Sequence, residues 1–138
     1  MKKSIILTCL ITISLSLSAQ ISDKSILVGK WNVEKTIKQP PVPQITPLVQ
    51  SFEQATFDFK DNDVFELSTT KSTELFEMMM SEVMIDTKWK FNKNKQLLQI
   101  GNEADRYTTM SIIVNKKNDK IIFELEESGL VFLMKKVD

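Results

Sequence analysis

From Gly29 onward the chain alternates apolar and polar residues with a period of two, the signature of strands buried on one face. Trp31, Val33 and Ile37 share a face with Lys35, and Lys30, Asn32, Glu34, Thr36 and Lys38 line the other. Ala55, Phe57 and Phe59 repeat the rhythm, Lys60–Asp63 supplies turn chemistry, and Phe65, Leu67 and Thr69 resume it as a hairpin. A fourth strand is predicted through Val83, Ile85, Thr87, Trp89 and Phe91, with a turn at Asn92–Lys95 into a fifth holding Leu98 and Ile100. After Gly101 and Asn102, a sixth runs from Tyr107 to Val114, with Met110, Ile112 and Val114 on one side. Polar turns at Asn115–Asp119 and Glu127–Gly129 frame a seventh (Ile121, Phe123, Leu125) and an eighth (Leu130, Phe132, Met134).

Three stretches break this rhythm. Ser22–Ser25 offers capping residues before Ile26, Leu27 and Val28, enough for one helical turn. All four prolines fall within Gln39–Pro47, where missing amide donors and fixed φ forbid a central strand, so a long stiffened loop is expected. A Pro40-x-x-Pro43 docking peptide is the sharper reading of that segment, but it has no flanking basic specificity residue in the usual position. In Ser72–Met80, capping hydroxyls, Glu74 and Glu77 in a first turn, and Leu75, Met79 and Val83 at helical spacing predict a short helix, with an extended hairpin as the alternative.

Eight short strands with tight turns and one long early loop describe an all-β, eight-stranded up-and-down antiparallel barrel. A two-sheet sandwich has the same spacing, and periodicity does not separate them.

The segment before the strands has a different character. Lys2 and Lys3 precede an apolar run, Ile5–Leu17, and Ser16-Leu17-Ser18-Ala19 sets small residues before Gln20. This is the layout of a secretory signal cleaved after Ala19, and the run is short and hydroxyl-diluted for a membrane span. Cys9 lies inside the apolar run rather than at its end, which argues against lipidation. The expected division is residues 1–19 as signal peptide and 20–138 as one domain, exported to the periplasm or beyond and without a membrane anchor after cleavage.

The remaining 119 residues carry 16 basic and 18 acidic side chains, so neither nucleic acid nor an anionic membrane is an expected partner. They hold no cysteine, so packing rather than disulfides must stabilise the domain. The chain has no histidine, which removes the commonest general base and transition-metal ligand. No enzyme is expected, and no cofactor.

Gly29-Lys30-Trp31, opening the first strand about ten residues after the expected cleavage point, resembles the Gly-x-Trp signature of the lipocalins. That resemblance implies a tryptophan packed across the closed end of the barrel, a glycine that lets the chain approach it, and a first loop covering the open mouth. Leu130–Lys136 is similar to the closing strand of short bacterial lipocalin-like domains. The chain has no Thr-Asp-Tyr motif and no arginine in its last strand, which leaves Lys135 or Lys136 to cover Trp31.

Further chemistry is sparse. Met78, Met79, Met80 and Met84 offer soft sulfur to Cu(I), against the plainer reading of a flexible apolar lid. Asp61, Asn62 and Asp63 lack the glycine and distal glutamate of a calcium loop and sit where a hairpin must turn. Glu126 and Glu127 are adjacent and would face opposite ways on a strand. No metal site is expected. Two functions stand. In one, the barrel holds a small apolar molecule, with Phe57, Phe65, Met79, Trp89 and Phe123 as candidate ligand-binding residues and Gly29 and Trp31 as structural ones. In the other, the inward aromatics Trp31, Phe57, Phe59, Phe65, Trp89, Phe91, Phe123 and Phe132 fill the interior, and the protein acts as a protein-interaction or inhibitor module.

Overall fold

The structure, a computed structural model, describes residues 18–83 and 86–137. The apolar run of the expected signal, with Cys9, lies outside those residues, as do Met84 and Ile85.

In chain order the strands are β1 (Ser18–Ala19), β2 (Gly29–Lys38), β3 (Ala55–Phe59), β4 (Phe65–Thr69), β5 (Lys88–Asn92), β6 (Leu97–Gly101), β7 (Met110–Lys117), β8 (Lys120–Leu125) and β9 (Leu130–Lys136). Two α-helices interrupt them, α1 (Thr46–Glu53) and α2 (Glu74–Val83), and 3₁₀ turns form at Lys24–Ile26 and Pro43–Ile45. Strands β2 to β9 form one antiparallel sheet in the order β4-β3-β2-β9-β8-β7-β6-β5. The first and last of these eight strands meet: β2 pairs β9 from Trp31 opposite Lys136 to Lys38 opposite Val131. The two ends of that order also touch. The Phe65 N–H donates to the Thr87 carbonyl (3.0 Å) and the Trp89 N–H to the Asp63 carbonyl (2.9 Å), around a bridge between Val64 and Lys88. The sheet is therefore a nearly closed barrel with a short seam between β4 and β5, which decides against the sandwich.

The interior is one apolar cluster, from Trp31, Phe57 and Phe59 through Leu98, Ile100, Ile112 and Val114 to Phe123 and Phe132. Alternation along β3 (Ala55, Phe57, Phe59) and β8 (Ile121, Phe123, Leu125) places their buried residues as the pattern predicts.

The structure corrects the sequence reading in four places. The Gln39–Pro47 loop ends early: a 3₁₀ turn begins at Pro43 and passes into α1. The fourth strand does not begin at Val83, which closes α2, but at Lys88. The sixth begins at Met110 rather than Tyr107, because Arg106 and Tyr107 take left-handed φ of 57° and 60° in a turn. The single face drawn through Trp31, Val33 and Ile37 fails after Val33. Register shifts fall between Val33 and Lys35 and between Thr36 and Lys38, so Thr36 stands opposite Phe132 while Ile37 turns outward at 49% exposure. Each extra residue advances the period-two phase by one and exchanges the faces.

The N-terminal segment is tied on from below. Asp23 caps the Lys24–Ile26 turn through the Ser25 N–H (2.9 Å). Ile21 is fully buried, and its backbone is clamped by the Gln96 amide, which accepts from the Ile21 N–H (2.7 Å) and donates to its carbonyl (3.0 Å). Ser18 and Ala19 add a short strand on β7 beside Lys117 and Lys116.

Candidate functional site

The up-and-down path sorts the connections by end. Turns 60–64, 93–96 and 118–119 and the N-terminal turn lie at one end, and segments 39–54, 70–83, 102–109 and 126–129 at the other.

The first end is sealed. The Trp31 indole N–H donates to the Leu27 carbonyl (2.9 Å), and Lys136, opposite Trp31 in the β2–β9 pair, sets its ammonium 5.6 Å from the ring centroid. Gly29 has a φ of 130°, a conformation that residues with a Cβ rarely adopt, just where the chain turns from the 3₁₀ segment into β2. Trp89 also belongs here. Its indole N–H donates to the Lys60 carbonyl (2.9 Å), its ring meets Phe59 at 5.2 Å, and Lys24 lies 4.5 Å over it. The Asp61–Asp63 segment is the hairpin turn, with Asp63 paired to Lys24 and Asn62 Oδ1 accepting from the Val64 N–H (3.2 Å).

The other end is roofed by the two helices. Pro47 occupies the first turn of α1, where its missing N–H costs nothing, and Val49 and Phe52, three residues apart, face the core. In α2, Glu74 and Glu77 suit the positive helix start and Phe76 is buried. Hydroxyls bind the roof together: Ser51 and Thr73 share a hydrogen bond of 2.8 Å, Thr73 donates to the Pro47 carbonyl (3.3 Å), and Thr69 donates to the Ser51 carbonyl (2.6 Å). Phe52 is the plug. Its ring lies 5.7 Å from Phe76, 6.0 Å from Phe57 and 5.9 Å from Phe132.

A cavity of about 190 Å³ lies at this mouth, between the helices and the rim of β7 and β8. Leu48, Phe52, Met79, Met110 and Leu125 form its apolar walls, and Thr109, Glu127 and Ser128 its polar edge. Glu127 is fixed by accepting the Ser111 N–H on Oε1 (2.7 Å), which pins the β8–β9 turn to β7. Burial pushes its carboxyl above the ordinary value, the Ser111 bond pulls it back, and neighbouring Glu126 adds to the rise. Thr109 is held by a hydrogen bond to Asp105, whose carboxylate also accepts the Asn102 and Tyr107 N–H groups (2.9 Å each). Those bonds, led by that from Thr109, hold the Asp105 carboxyl below its usual value.

The five candidate ligand-binding residues do not form one site. Phe57, Phe65, Trp89 and Phe123 are buried among rings, Phe57 lying 6.3 Å from Phe65 and 5.9 Å from Phe123. Phe65 and Trp89 line two wider grooves of about 510 and 410 Å³, but these are open and edged by charged side chains such as Glu66, Asp86, Lys88 and Lys90. Only Met79 reaches the mouth cavity. Leu48, Phe52 and Met110 were missed as candidates. The spacing of Leu48, Val49 and Phe52 carries a weak helical signal, and Met110 an inward one, but neither reports height along the barrel axis. Of the methionine group, Met78 is exposed while Met79 and Met80 pack against the core, so these three sulfurs do not converge. Among the described residues, no helix is long and apolar enough to cross a membrane, and no group of three His, Cys, Asp or Glu side chains gathers that could hold a metal ion.

Comparison of the chain with protein families, curated proteins and solved structures finds no match.

Proposed function

We propose that this chain is an exported binding domain that takes one small apolar molecule at the mouth of its barrel, beneath α1 and α2, rather than in its interior. The observation that carries this reading is the division of space. Aromatic side chains fill the barrel, while the apolar gap at the mouth stays open and is walled partly by methionine, which adapts to ligand shape. An apolar cavity of about 150 Å³ holds a benzene molecule, so a single ring or a short alkyl chain matches the space here. Fatty acids, retinoids and porphyrins are too large for it. Export is supported by the signal-like residues 1–19, and the lipocalin-like resemblance by Trp31, which closes one end under Lys136.

The test is titration with benzyl alcohol, followed by the methyl resonances of ¹³C-labelled methionines. Met79 and Met110 should shift together, and Met79→Lys should abolish the response. Trp89 emission should stay constant, since that ring lies at the far end. The second reading, a filled barrel that binds a protein by its surface, is favoured by the aromatic packing of the interior. It takes over if neither methionine moves by about 1 mM ligand, the affinity equivalent to about −4.1 kcal/mol.

A further inference from the structure

We infer that the mouth cavity selects small apolar amines, the ammonium group being held at Glu127. The inference rests on the mouth-binding reading above and adds the charge of the ligand. Of the described side chains lining the cavity, Glu127 carries the one formal charge, and it is negative. Among those described residues there is no lysine or arginine that would welcome a carboxylate. The position of Glu127 is set by the backbone: the Ser111 N–H on its Oε1 holds the exposed carboxylate at the rim.

The Glu127 carboxylate is exposed at the rim, beside the apolar walls. An ammonium ion seated there makes charge-assisted hydrogen bonds with it. Behind it, an apolar group of six or seven carbons enters between Met79 and Met110. A carboxylic acid of the same size meets the opposite balance, since its anion would face Glu127.

The experiment compares benzylamine, benzyl alcohol and benzoate at neutral pH on the full-length exported domain and on Glu127→Gln. Gln keeps an oxygen for the Ser111 N–H, and an unchanged melting temperature verifies that the fold is intact. Benzylamine should bind at least about tenfold more tightly than benzyl alcohol, with benzoate weakest. In Glu127→Gln that preference should vanish while benzyl alcohol binds as before, and in the parent protein it should shrink with added salt. If benzyl alcohol binds but the amine gains nothing, or if its advantage survives in Glu127→Gln, the amine assignment is overturned and the mouth site stands. If none of the three moves the Met79 and Met110 resonances, both are overturned.

Discussion

Trp31 joins three parts of the closed end. Its indole N–H holds the Leu27 carbonyl, Lys136 covers its ring, and that ring lies 6.0 Å from Phe123 in the core. Trp31→Ala should therefore cost ~3–5 kcal/mol, the usual range for a large aromatic lost from a packed site. A domain of this size has ~5–15 kcal/mol in all, so the loss would be severe. Lys30, next in sequence but exposed on the outer face, should cost less than about 0.5 kcal/mol when changed to Ala. Denaturant melts of the two variants measure the contrast, and equal losses would contradict the orientation of β2. Gly101 shows a different constraint. A Cβ there would stand 2.6 Å from Asp105 Oδ1 and 2.9 Å from the Tyr107 Cα, so the loop that positions Thr109 at the mouth can close only over glycine.

At the scale of elements, α1 and α2 act as one roof because each buries a phenylalanine against the other. Both rings belong to the core cluster; Phe52 also meets Phe57 and Phe132 in the barrel, while Ser51 and Thr73 join the two helices by a hydroxyl contact. Phe76→Ala should cost about 3 kcal/mol or more, and the loss should appear first as faster hydrogen exchange in α2, with β7 and β8 still protected. Met78→Ala, at a site 59% exposed on the same helix, should change neither stability nor exchange appreciably. Uniform loss of protection in Phe76→Ala would show that roof and barrel unfold as one unit. The elements also show where pattern reading loses its grip. α1 is eight residues long and follows a proline-rich stretch, so its few apolar positions made a weak periodic signal beside the breakers upstream. In β2 the bulges shift the phase twice, and Ile37 is apolar yet outward.

For the whole molecule, closure takes the place of covalent staples. Pairing β2 with β9 brings Lys38 beside Val131, nearly a hundred residues apart in sequence, and leaves only the short β4–β5 seam thinly bonded. In the proposed exported form, cleavage after Ala19 removes the Ser18–Ala19 pairing with β7 but spares the Gln96 clamp on Ile21. The exported protein should thus begin at Gln20, open or cyclised to pyroglutamate, and remain folded. Intact-mass measurement decides this, and retention of Lys2 and Cys9 would reject it.

Sequence alone determined the strands, their turns and most of their inward faces, because a half-buried strand must alternate and a turn must supply its own φ and hydrogen-bond chemistry. The up-and-down order of the strands also puts Gln39–Pro47 and Ser72–Met80 at one end of the barrel. Tertiary structure decided the rest. Facing is a local property of each residue, but height along the barrel axis depends on register between strands. The alternation that marked Trp89 as inward therefore could not show that it lies at the sealed end, tied to Lys60, while Met79 lies at the mouth. Only folding brought Leu48, Phe52, Met79, Met110 and Glu127, spread over four distant segments, around one cavity. Whether eight aromatics leave space or fill it is likewise a matter of packed volume, which no periodicity records.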